Sequence, residues 1–167
     1  MVHGQWPLRN ESFRRIESFQ HDLSILTASG RWIRIAIMQA LNPKTIAAPF
    51  GRYSHGVVTS GTGRLVLTSG QLGLRADGSL PDGALAQARQ CFANCAAILA
   101  EAGLGPGEVL RINAFVTDRA HFPAYMAARD EFLTGIEVLP ASTLVIVSGF
   151  TRPEFLVEVE LTAMERA

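Results

Sequence analysis

Apolar and polar positions alternate most clearly towards the C-terminal end of the sequence. Phe155, Val157, Val159, Leu161 and Ala163 share one parity, and Glu158 and Glu160 share the other. A two-residue period belongs to a strand with one buried face, so residues 155–163 are predicted as a half-buried strand carrying two carboxylates on its polar side. Residues 142–147, rich in β-branched side chains, predict a second strand. Joined by the Gly- and Pro-bearing segment SGFTRPE, the two runs predict a hairpin over residues 140–160. Its loop is expected to bring Arg152 and Glu154 close to the carboxylate face.

Upstream, residues 57–60 read as a strand, Gly61-Thr62-Gly63 as a tight hairpin turn, and residues 64–71 as the returning strand. Gly70 within that strand signals a bulge or a close backbone approach. A long helix follows, with Asp82 as N-cap and Gly103 as its stop. Leu85, Ala88, Phe92, Cys95, Leu99 and Ala102 form its apolar stripe, and Gln87, Gln90, Asn94 and Glu101 its wet face. Residues 109–116 predict a strand with Ile112, Ala114 and Val116 inward. Residues 121–133 predict a second helix, with Pro123 in its first turn and a stripe of Phe122, Tyr125, Met126, Arg129 and Phe132. The order β-β-α-β-α-β-β specifies an α+β domain, a mixed sheet with two helices on one face. Phe115 and Leu156 remain on the other face, and a symmetric homo-oligomer is the simplest cover for it.

Residues 1–37 depart from this regularity. They hold both tryptophans and five arginines, with apolar residues at helical spacing over 10–26 and alternating isoleucines over 31–38. The segment reads either as a targeting or partner-binding arm, or as the product of a start placed ahead of Met38, where a complete domain pattern begins. The expected organisation is an N-terminal extension over 1–37 and a domain over 38–167.

Composition narrows the classes. Of 167 residues, 48% are apolar and 18% charged, and the formal net charge is zero, so a nucleic-acid partner lacks its electrostatic footprint. No apolar run reaches the length of a membrane span, and no continuous apolar leader is visible, which predicts a cytoplasmic protein. Cys91 and Cys95 are spaced one helical turn apart, but no further ligand cluster accompanies them, so they read as small buried residues and no metal is expected. Phosphate loops, dinucleotide fingerprints and hydrolase motifs are all missing. Of the four histidines only His55 lies in a Gly-flanked loop near other polar candidates, where a surface or interface role competes with a general base. Glu158 and Glu160 lie ~6.5–7 Å apart along one strand face, and close carboxylates in a shielded cleft raise a pKa into a useful range.

Several motifs recur together: GRYSHG at 51–56, LTSGQLG at 67–73, ILAEAGLG at 98–105, VLRINAFVTD at 109–118 and VEVE at 157–160. In order and spacing they resemble the RidA/YjgF family over residues 38–167. The resemblance implies a chorismate-mutase-like fold and a homotrimer with a barrel-like core and intersubunit clefts. It also implies hydrolysis of small reactive 2-imino or enamino acids, a small-molecule substrate, without metal or cofactor. Residue by residue, it implies Tyr53 as a cleft residue, Ser69, Gly70 and Gln71 as the cleft wall, and Glu158 as the group that positions water. The family's carboxylate-gripping arginine falls at Ser142, in Pro140-Ala141-Ser142-Thr143. A hydroxyl does not replace a guanidinium fork. Arg152 or Arg52 is then a candidate anchor. The alternatives are a substrate lacking that carboxylate, or a non-catalytic trimer that binds ligands or acts as a chaperone.

Overall fold

The computed structural model describes residues 24–26, 32–34, 38–60 and 63–166. The chain divides into two compact units, Met1–Ile35 and Ala36–Ala167. In the first, β1 (Ser24–Leu26) pairs antiparallel with β2 (Trp32–Arg34). This corrects the C-terminal end of the helix expected over 10–26. The rest of that helix, and most of the strand expected over 31–38, lie outside the described residues.

The second unit carries the predicted α+β architecture. Its main sheet runs β5 (Leu65–Leu67), β9 (Val157–Met164), β7 (Val109–Val116), β8 (Ala141–Ile146), with β6 (Gln71–Leu72) also pairing with β9. β7 is parallel to β8 and antiparallel to β9. Two expected hairpins therefore do not form. β8 and β9 are separated by β7, because each forms its backbone ladder against that strand instead of its sequence neighbour. Likewise β4 (Gly56–Thr59) pairs with β3 (Met38–Leu41) and not with the 64–71 run, while the Gly61-Thr62 turn itself lies outside the described residues. The 64–71 run is divided into β5 and β6 by irregular backbone at Thr68–Gly70.

Two helices cover one sheet face. α1 (Ala84–Glu101) buries Ala88, Cys91, Phe92, Cys95 and Leu99. Gly83, not Asp82, occupies its N-cap position. At the other end Gly103 (φ 74°) closes the helix, with its N–H bonded to Ala100 O and that of Leu104 to Leu99 O. The crossed pair of bonds needs a left-handed residue that glycine supplies without strain. α2 (Phe122–Phe132) has Pro123 in its first turn. Phe92 of α1 stacks on Phe132 and Tyr125 of α2, with centroids at 4.8 and 6.1 Å. Beneath them lie Ile112, Ala114 and Val116 of β7 and Val157, Val159, Leu161 and Ala163 of β9, all nearly inaccessible to water.

The period-2 reading of β9 therefore holds at every position. Gln87 corrects the expected wet face. It is buried, donates to Glu154 O and accepts from Leu156 N, both at 2.9 Å, and so pins the loop before β9 to α1. Among the described residues of this unit no helix covers the opposite sheet face, which exposes Leu65, Leu67 and Val145. No helix among the described residues is long and apolar enough to cross a membrane.

Candidate active site

The residues singled out in the sequence fall into two groups. The first surrounds Glu158. Its neighbour across the ladder on β7 is Phe115 and on β6 is Leu72, so its side chain stands on the helix-free face. The backbone at Gly70 closes on it: a Cβ there would lie 1.7 Å from Glu158 Oε1. Gly70 is thus the close approach expected from its position in the strand. Ser69 is exposed, and the Gln71 amide donates to Ser69 O at 3.2 Å and Gly70 O at 3.3 Å, stiffening this wall. Partial burial, helped by the Glu160 charge, raises the Glu158 carboxyl above the ordinary glutamate range. Glu160 accepts from Asn113 Nδ2 at 2.8 Å. Asn113 Oδ1 in turn accepts from Arg111 Nε at 2.8 Å, and Arg111 Nη2 reaches Thr143 at 3.0 Å. Asn113 and Arg111 were not singled out in the sequence. Their alternation with Ile112 and Ala114 placed them on the Glu158 face, and only the strand order set them beside Glu160.

The second group lies at the β8 edge. Ser54 N donates to Pro140 O at 3.0 Å and Ser54 bridges Ala141, so the 51–56 turn runs along the start of β8. Tyr53, half-buried, meets Phe50 and His55 edge-on, with centroids at 5.5 and 5.9 Å. His55 is engaged elsewhere, its Nε2 lying 2.7 Å from Ala47 O. Ser142 pairs with Ile112, so it faces the helices. There it sits close enough to Tyr125 to favour the ionised phenol, while burial pushes that phenol up. No hydrogen bond of ordinary geometry joins the two, and the Tyr125 hydroxyl is buried without a partner. One helical turn on, Arg129 is 2% exposed. Its Nε and Nη2 donate to Asp130 Oδ1 at 3.1 and 2.8 Å.

Within one chain the two groups do not meet. Ser142 and Glu158 lie two strands apart and three residues offset, about 14 Å between backbones, and on opposite faces. Both arginines proposed as anchors are occupied. Arg52 Nη2 donates to Leu133 O at the C-terminal end of α2, 3.1 Å away. Arg152 is paired with Glu154 at 2.5 Å and covers the Phe155 ring at 4.7 Å, so the loop does not carry it to Glu158. Cys91 and Cys95 direct their thiols at Val157 O and Val159 O, and burial pushes the Cys95 thiol up to about 11. Among the described residues no cluster of three or more His, Cys, Asp or Glu forms a metal-binding group.

The sequence family described as Endoribonuclease L-PSP matches residues 44–165. The chain belongs to the RidA/YjgF family. It is 33% identical over 130 residues to the 2-iminobutanoate/2-iminopropanoate deaminase of Escherichia coli (strain K12), an alignment covering 74% of this chain and 98% of that protein. Among solved structures it resembles YyfB, a Rid-family protein from Yersinia pestis, with 33% identity and a TM-score of 0.69 over 77% of this chain and 98% of the other. It also resembles Escherichia coli TdcF with bound serine, at 25% identity and a TM-score of 0.58 over 76% and 98% of the two chains.

Proposed function

We propose that the protein hydrolyses a small reactive imine or enamine of the 2-imino acid type, in clefts formed between copies of the chain. The observation that carries this reading is the Glu158 carboxylate, held against the Gly70 backbone on a half-buried sheet face with its pKa raised by burial and by Glu160. A carboxylate so placed takes a proton from water as its oxygen adds to the C=N carbon and passes that proton to the nitrogen, and the C–N bond then breaks to give ammonia and the 2-oxo acid. The likeness to the Escherichia coli imine deaminase supports the reaction class. The serine-bound TdcF neighbour supports a ligand of amino-acid size.

The separation of Glu158 from Tyr53 and Ser142 supports an intersubunit cleft, in which the β8 edge of one copy faces the Glu158 wall of another. A homotrimer with the open sheet faces inside satisfies this and covers Leu65, Leu67 and Val145. RNA cleavage, suggested by the family's description, finds no support in a chain of zero net charge.

A second reading, a trimeric ligand-binding protein without catalysis, is favoured by Ser142 in place of a guanidinium. The test is the decay of 2-iminopropanoate generated in situ. Acceleration over buffer, lost in Glu158→Gln, is expected. Decay at the buffer rate overturns the imino-acid reading and leaves the second reading or a substrate without the imino acid's carboxylate.

A further inference from the structure

α2 presents a donor-rich cluster to Ser142 from the helix side. Tyr125 and Arg129 are one turn apart on the same face of the helix, and they are 0% and 2% exposed. A guanidinium this deep is costly unless its N–H groups are matched. Asp130 meets only one edge of it, through a single oxygen, Oδ1, and among the described residues no acceptor is assigned to Nη1. The Tyr125 hydroxyl has no partner, and Ser142 lies beside it. An arginine N–H, a phenol and a serine hydroxyl thus converge, and what the group lacks is an acceptor. The Gly51–Tyr53 turn roofs it: a Cβ on Gly51 would lie 3.5 Å from Arg129 Nη2 and 3.9 Å from the Tyr53 ring. The turn that the resemblance assigns to the cleft therefore packs directly on this guanidinium.

We propose that Arg129, assisted by Tyr125 and Ser142, anchors the carboxylate of a small 2-oxo- or 2-imino-acid ligand, delivering from α2 the guanidinium that β8 lacks at position 142. Asp130 fixes the Arg129 plane through the Nε–Nη2 edge and leaves Nη1 for the ligand. Because Arg129 and Asp130 together carry no net charge, the carboxylate is held by directed donors and not by a general positive field. A neutral isostere then binds poorly, because it cannot satisfy the same donors. The turn that roofs the group carries Tyr53, which is half-buried, and follows Phe50, which is 82% exposed.

The choice of ligand rests on the imine reading above, but the anchor is tested without turnover. The full chain is titrated calorimetrically with pyruvate and with pyruvamide. Pyruvate is expected to bind about tenfold or more tightly than the amide. Arg129→Gln is expected to weaken pyruvate by about tenfold or more. Tyr125→Phe is expected to weaken it several-fold while the melting temperature stays level or rises, since it removes an unsatisfied buried hydroxyl. Adding Ser142→Arg to Arg129→Gln is expected to restore binding from the β8 side.

The proposal is overturned if pyruvate does not bind, if the two ligands bind alike, or if a folded Arg129→Gln binds pyruvate like the parent. Should Arg129→Gln fail to fold, Tyr125→Phe decides, because a purely structural tyrosine leaves pyruvate affinity unchanged. Binding that depends on Arg129 without imine hydrolysis keeps the anchor and removes the enzyme. Hydrolysis with binding indifferent to Arg129 does the reverse.

Discussion

At the scale of single residues, Gly70 and Glu158 act as one unit. A methyl at position 70 would fall 2.6 Å from Glu158 Cδ as well as against Oε1. The carboxylate is the free end of a flexible side chain, so it turns aside and the fold is spared. Gly70→Ala is expected to cost less than about 1 kcal/mol of stability but about a hundredfold in kcat/KM for imine hydrolysis, read by thermal melting and steady-state kinetics. Glu158 also carries a pH signature. Its carboxyl is raised in the folded state, so the ionised form is the destabilised one. The penalty is absent below the ordinary glutamate range, grows through the raised folded range and is complete above it. Glu158→Gln is therefore expected to melt higher than the parent at pH 7, with the difference closing in acid, while hydrolysis falls by about 10²–10⁴-fold. This part of the site was legible in the sequence because a two-residue period assigns faces unambiguously. Arg129 was visible only as a charge within an apolar stripe. Its meaning depended on which strand residue the stripe would meet, and that is a long-range fact.

At the scale of elements, polarity misled where a side chain serves backbone. Gln87 looked like solvent-facing helix, yet its amide satisfies one carbonyl and one N–H of the loop entering β9. Gln87→Ala removes the partner of both part-buried groups, so a loss of about 1–2 kcal/mol is expected from urea unfolding, together with faster amide exchange at Leu156. The false hairpins have a common cause. Alternation and turn residues fix where strands are and which way they face, but not their neighbours. Here β7 supplies the ladder that β8 and β9 were expected to find in each other, while β4 pairs with β3 and β5 with β9, each a partner distant from the expected one. The helices escaped this difficulty, because their hydrogen bonds close within the element and their stripes are self-contained.

At the scale of the whole molecule, the helix-free sheet face is the feature that most needs a partner. Leu67 is 66% exposed there, opposite Thr162 of β9. In an isolated chain an aspartate at this position is nearly neutral for stability, within about 0.5 kcal/mol. Where copies pack on this face, it buries an unpaired carboxylate. The parent is expected to sediment as a trimer, and Leu67→Asp as a folded monomer without imine hydrolysis. A trimeric variant would place the interface elsewhere.

The strand order has one more consequence, for the life of the chain on the ribosome. The last of the described strands, β9, is an inner one, flanked by β5 and β6 on one side and β7 on the other. While β9 is still in the exit tunnel, its neighbours have emerged but have nothing to join them, and the apolar stripe of α1 has only half its sheet to lie on. The domain therefore closes from both sides onto its final strand, after synthesis has passed Met164. Until then, exposed strand edges and apolar surface are what nascent-chain chaperones meet.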